Sequence, residues 1–173
     1  MKTVFQSNSQ LAQTFAAQSQ ILGRTKSMFF EHETAFSYGY HYIAAKFITA
    51  DNGEKVCFVN RRQYSVTTAK HCGELLKAIP YGIKVFSVPI PRNFGYWQIG
   101  EVLKQMKEEA ESYFKKQLSA RTSDFNYSIG MRIVGDIKEI SELFSLCVPS
   151  LWDFEYQKQA FEKVKSIWNK KVN

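Results

Sequence analysis

Nine residues, Tyr64–Cys72 (YSVTTAKHC), set two hydroxyls, an ammonium and an imidazole within five positions: Thr67, Thr68, Lys70 and His71. Two chemistries suit that set. Hydroxyl and ammonium donors beside the unpaired amides of a helix start make a cradle for phosphate. Imidazole is the side chain that exchanges protons near neutral pH, and Tyr38–Tyr42 (YGYHY) supplies a second one at His41. Acting as base and acid, with a ribose 2′-hydroxyl as nucleophile, two imidazoles can cleave RNA without a metal. Metal-dependent cleavage lacks its ligands: the acids of the first half are Glu31, Glu33, Asp51, Glu54 and Glu74, with no pattern beyond Glu-x-Glu. Walker, GxGxxG, HExxH and GxSxG patterns are also missing, so neither metal nor cofactor is expected.

Charge points to the same half. The chain of 173 residues carries a net charge of +7, and residues 1–90 hold 10 Lys and Arg against 5 acids, whereas 91–173 hold 13 against 11. Between Lys55 and Gln98 the cations Lys55, Arg61, Arg62, Lys70, Lys77, Lys84 and Arg92 face Glu74 alone. The same window holds Tyr64, Tyr81, Phe86, Phe94, Tyr96 and Trp97, and cations interleaved with aromatic rings are what a nucleic-acid surface requires. A solvated charged face is the plainer reading of the same composition.

These residues need elements to hold them. Leu11, Phe15, Gln18 and Leu22 recur at helical spacing and predict a helix over 8–22 that ends at Gly23, with Ser7 or Ser9 as N-cap. Residues 27–66 are dense in aromatic and β-branched types and predict three or four antiparallel strands, with a turn at Asp51-Asn52-Gly53 and a bulge or bend at Gly39. His41 falls on one of these strands. Helical spacing through Ala69, Cys72, Leu75, Leu76 and Ile79 then predicts a helix starting beside Thr67 and stopping at Pro80, followed by a strand in GIKVFSVPI. The loop PRNFGYWQIG marks a boundary, and a long helix follows through Ile99, Met106, Phe114 and Leu118. Two more helices are expected at 136–147, with Asp136 near its N-cap, and at 154–171, with Phe161, Val164 and Trp168 on one side and Lys158, Lys163, Lys165, Lys170 and Lys171 largely elsewhere.

The fold class expected is α+β: an antiparallel sheet flanked by helices over 1–90, then a helical region over 91–173. Cys57, Cys72 and Cys147 form no CxxC pair and suit small core positions in a reducing compartment. The start, MKTVFQSNSQ, turns polar before an apolar run of signal length, and no 18-residue apolar stretch occurs, so a cytoplasmic protein with no membrane contact is expected.

Three short motifs occur in order: AAQSQ at 16–20 followed by Arg24, FSYGYHY at 36–42, and YSVTTAKH at 64–71. Together they resemble an uncharacterised domain family found in bacteriophage and plasmid proteins, over about residues 8–90. Ala17 departs from the family pattern, which has Asn there. The resemblance implies an accessory protein of a mobile element in a bacterial host cell, and singles out Gln18, Gln20, Arg24, Tyr38, His41, Thr67, Thr68, Lys70 and His71.

The leading expectation is nucleic-acid binding, to DNA or RNA, through backbone phosphates held by Arg24, Arg61, Arg62, Thr67, Thr68 and Lys70. A second is a protein-interaction module, a host-defence inhibitor or virion component, using the aromatics of 94–97 and the terminal helix to anchor a host or phage protein. The third is a metal-independent ribonuclease using His41 and His71.

Overall fold

The structure is a computed structural model that describes residues 3–62, 64–147 and 152–172. The chain is α+β and divides into two compact units, Met1–Ile99 and Gly100–Asn173.

The first unit holds α1 (Asn8–Ala16), β1 (Leu22–Arg24), β2 (Met28–Glu31), β3 (Thr34–Ser37), β4 (Ile43–Thr49), β5 (Lys55–Asn60), α2 (Val66–Ala78) and β6 (Lys84–Val88). The six strands form one sheet in sequence order. All pairs are antiparallel except β5 and β6, which run parallel, with α2 as the crossover that a parallel pair needs. Gly53 turns β4 into β5 at φ +83°, a conformation that glycine adopts without steric cost.

The predicted first helix is shorter than its periodicity. It stops at Ala16, Gln18 reverses the chain at φ +49°, and its side-chain amide donates to the Phe15 carbonyl at 2.7 Å. Leu22 and Gly23 pair with β2 instead, and Leu22 is 43% exposed. Gly39 does sit at a bend. The bulge lies across from it, where pairing steps from Ala35↔Ala45 to Phe36↔Ile43 and leaves Ala44 without an opposite residue. His41 belongs to the turn between β3 and β4, not to a strand.

Alternation along the strands sends one set of side chains toward α1 and α2, where Leu11, Phe15, Phe30, Phe47, Cys57 and Leu75 form a buried core. Phe15 lies 5.7 Å from Phe30 and 5.2 Å from Phe47, ring to ring. The alternate set includes Phe58, whose ring is 5.9 Å from Phe86 and 5.3 Å from Phe94. Residues 91–99 therefore pack with the sheet, although the sequence groups them with the later helices. Helix α2 is rotated from its expected orientation. Thr68, His71, Cys72 and Leu75 are buried, while Ala69 and Leu76 are exposed.

The second unit is helical: α3 (Ile99–Leu118), α4 (Phe125–Leu143) and α5 (Gln157–Val172). Helix α3 matches its predicted span. Helix α4 starts eleven positions before Asp136, because FNYSIGMRIVGD is helical despite two glycines. A Cβ at Gly130 would lie 2.5 Å from the Phe114 ring, so the glycine is what lets α4 approach α3. Gln117, fully buried, donates to the Ser123 carbonyl at 2.7 Å and accepts from the Tyr127 amide at 3.2 Å, tying the ends of α3 and α4. The Glu111 carboxylate accepts from the Glu155 and Tyr156 amides at 2.6 and 3.2 Å just ahead of α5. In α5 the inward residues are Ala160, Val164 and Ile167; Phe161 and Trp168, which the spacing groups on one side with Val164, are 37% and 47% exposed. Lys158, Lys165 and Lys170 are exposed, and the side chain of Lys171 lies outside the described residues. Cys57 and Cys72 are buried as expected, but Cys147 is exposed. Among the described residues no helix is long and apolar enough to cross a membrane.

Candidate nucleic-acid interface

Strand register places the expected site residues. Arg24 pairs with Phe29, Met28 with Ser37, Phe36 with Ile43, and Asn60 with Val88. One end of the sheet therefore carries the last residues of β1, β3, β5 and β6 and the first residues of β2 and β4. Arg24 ends β1, Lys26 lies in the β1–β2 connection, Arg61 and Arg62 directly follow β5, and Arg92 follows β6, all at this end. Helix α2 starts here as well and brings Lys70 in its second turn. Of the five acids in this unit, Glu31, Glu33, Asp51 and Glu54 lie at the opposite strand ends, and Glu74 lies further along α2. Arg24, Lys26, Arg62, Lys70 and Arg92 are exposed and Arg61 is half-buried.

Tyrosines stand between these cations. Tyr38 and Tyr40 in the β3–β4 connection are each 60% exposed, and Tyr64 ahead of α2 is 71% exposed. The Tyr40 hydroxyl donates to Glu31 at 2.5 Å, and its ring meets Phe29 and Phe36 edge-on at 5.0 and 5.1 Å. That hydrogen bond to a carboxylate raises the Tyr40 phenol above its ordinary value. Several clefts open along the rim, two of them beside the arginines and tyrosines. One, of about 430 Å³, is lined by Arg24, Lys26, Ser27, Glu31, Tyr38 and Tyr40. The other, of about 280 Å³, is lined by His41, Tyr42, Asn60, Arg62, Tyr64 and Arg92, with no acid among its residues.

Buried polar groups fix this geometry. His71 is 1% exposed; its Nδ1 lies 2.7 Å from the Ser37 hydroxyl and its Nε2 lies 3.3 Å from the Ser27 hydroxyl. Asn8 donates to Ser27 at 3.2 Å and accepts from Thr25 at 2.6 Å. The chain Thr25–Asn8–Ser27–His71–Ser37 thus ties the β1–β2 turn to α1, α2 and β3. Burial pushes the His71 imidazole below its ordinary value, which the Glu74 carboxylate opposes and the Lys70 ammonium reinforces. On the other side of the rim, Asn60 is 5% exposed, donates to the Ile43 carbonyl at 2.8 Å, and accepts from the Arg62 and Ile90 amides at 2.9 and 3.3 Å. One side chain therefore links the ends of β4, β5 and β6. The Tyr42 hydroxyl donates to the Arg62 carbonyl at 2.8 Å, and burial raises its phenol far above the usual range.

The expected site residues separate into four groups. Arg24, Arg61, Arg62 and Lys70 share the rim. Thr68 is an internal cap: Ser65, not Thr67, is the N-cap of α2, its hydroxyl accepts from the Thr68 amide at 3.1 Å, and Thr68 Oγ1 accepts from the Ser65 amide at 2.9 Å. Thr67 is left exposed beside that cap. Gln18 and Gln20 serve the chain reversal after α1, Gln20 donating to the Leu22 carbonyl at 2.8 Å. His41 is exposed with its ring 6.1 Å from Tyr64, whereas His71 is buried with both nitrogens on serine hydroxyls, so His71 presents no ring nitrogen to a substrate. Lys26 is a rim residue that neither the motifs nor the basic window mark; Tyr40 lies inside FSYGYHY and Arg92 inside the basic window, but only strand register places them at the rim. Among the described residues no group of three or more His, Cys, Asp or Glu is placed to hold a metal ion.

Compared with protein families, curated proteins and solved structures, nothing matches this chain.

Proposed function

We propose that the first unit binds nucleic acid along the rim formed by Arg24, Lys26, Arg61, Arg62, Lys70 and Arg92. What supports the reading is an uneven distribution of charge: six cations share one end of the sheet, while the other end sets Lys55, Lys77 and Lys84 against four acids, of which Glu31 reaches back to Tyr40. A polyphosphate releases condensed counterions when such a row neutralises it, and that release drives association. The accessory role in a phage or plasmid that the motifs imply is compatible with this activity. A protein-docking role for 94–97 has less to stand on. Phe94 is buried at 3%, the Tyr96 hydroxyl is held by Asp51 at 2.6 Å, and Trp97 alone is widely exposed.

Fluorescence anisotropy of a labelled oligonucleotide, repeated as salt rises, tests the proposal. If all six cations neutralise phosphates, log K against log salt should fall with a slope of roughly −4 to −5. Arg24→Glu and Arg62→Glu should each flatten the slope and weaken binding. A slope near zero, or binding indifferent to both reversals, would overturn the reading.

A further inference from the structure

Resting on that reading, we infer that the rim takes single-stranded nucleic acid, with bases stacking on Tyr38, Tyr40 and Tyr64 between phosphates held by the arginines. Phosphate attraction alone needs only cations. Three rings at the cationic rim make contacts on one side, Tyr40 with Phe29 and Phe36, Tyr38 with His71 and Tyr64 with Tyr42, and still stay 60%, 60% and 71% exposed. A ring face is what an unpaired base seeks, and every base has one, so such platforms serve single strands without regard to sequence. In a duplex the base faces are already stacked on one another, and the tyrosines gain nothing from it.

The backbone at Tyr38 supports the assignment independently. Tyr38 stands at φ +61°, the left-handed region that bulky side chains avoid, although Gly39 follows it directly. The conformation is enforced by the Tyr38 amide donating to the Ser27 carbonyl at 2.8 Å, and by His71 holding the adjacent Ser37. The Tyr38 ring then rests 5.6 Å from the immobilised His71 imidazole, tilted by 44°, and Tyr38 stays 60% exposed. A strained aromatic fixed in one orientation and left in solvent is a pre-organised contact, not a packing residue. With strands about 4.8 Å apart, the row from β1 to β6 spans about 24 Å. At about 3.4 Å per stacked nucleotide it accommodates at most about seven nucleotides.

The test compares three labelled probes by anisotropy at one salt concentration: an oligothymidylate, an oligouridylate, and a mixed-sequence DNA duplex of equal length. The inference expects both single strands to bind about tenfold more tightly than the duplex. It expects Tyr38→Ala and Tyr64→Ala each to weaken single-strand binding about tenfold, with Tyr64→Phe restoring it, and with duplex binding and the salt slope unchanged. Tyr38→Gly separates fold from contact: it should raise the melting temperature by relieving the backbone while losing the same affinity. Equal or tighter duplex binding, or tyrosine variants that bind like the parent, would overturn the single-strand inference and leave the electrostatic reading standing. Failure of the folded parent to bind any probe would overturn both.

Discussion

Replacing His71 with alanine removes the junction of a buried network. Two hydrogen bonds disappear, at 2.7 Å to Ser37 and 3.3 Å to Ser27, and the Ser37 hydroxyl is stranded at 0% exposure. Two neutral bonds at about 1 kcal/mol each, plus a buried hydroxyl left unpaired, put the cost at about 3 kcal/mol. For a unit of about a hundred residues that lowers the melting temperature by roughly 10–20 °C. Native-state hydrogen exchange on the amides of β2 to β5 measures it within the sheet unit, apart from the helical one. Ser37→Ala and the double variant complete a cycle, in which the coupling should be about 1 kcal/mol or more. The pH dependence carries a sign. Burial lowers the folded-state value of His71 below the ordinary 6.5, so the unfolded chain binds the proton more readily. Its contribution is whole above about pH 6.5 and is lost as pH falls from there through the lowered folded-state value, with a slope of at most about 1.4 kcal/mol per pH unit. That slope should disappear in His71→Ala. A variant within about 0.5 kcal/mol of the parent, additive with Ser37→Ala and unchanged in pH slope, would refute the network argument.

Other perturbations separate the parts of the molecule. Asn60→Ala breaks the link between β4, β5 and β6 and should cost about 2–4 kcal/mol in denaturant unfolding, because it leaves buried backbone groups of three strand ends unpaired. Gly130→Ala should destabilise the helical unit by about 1–3 kcal/mol, since its Cβ would lie 2.5 Å from Phe114, and exchange in the sheet should not change. Under native conditions a thiol reagent should modify Cys147 rapidly and leave Cys57, whose thiol burial pushes up to about 12, unreacted until unfolding. RNA incubated with the protein in EDTA should remain intact, and intact equally with His41→Ala, because the His71 imidazole is committed to two serines.

Much of the scaffold was legible from periodicity. Helix α3 repeats its apolar residues from Ile99 to Leu118, and the run over 27–60 has the aromatic and β-branched density of strands. Elsewhere one physical need masked another. Gly130 and Gly135 lower helix propensity, yet the approach to Phe114 requires the first of them, so the start of α4 was hidden. Leu22 continues the spacing of α1, but its backbone finds strand partners in β2, and pairing prevailed over periodicity. In SVTT three hydroxyls can each cap a helix, and only geometry shows that Ser65 and Thr68 cap one another. The rim itself was legible only as composition. Arg24, Arg62 and Arg92 come to one end of the sheet through register, which no local pattern encodes, and Lys26 belongs to no motif.

Segregated charge also acts before contact. A body positive at one end of its strands and nearly balanced at the other, where Lys55, Lys77 and Lys84 offset the acids, has an electric moment along the sheet, and a polyanion exerts a torque on it within a Debye length, about 8 Å at physiological ionic strength. The first unit would thus rotate its arginine end forward during approach, so that encounters are pre-aligned and added salt slows capture as well as loosening the complex formed.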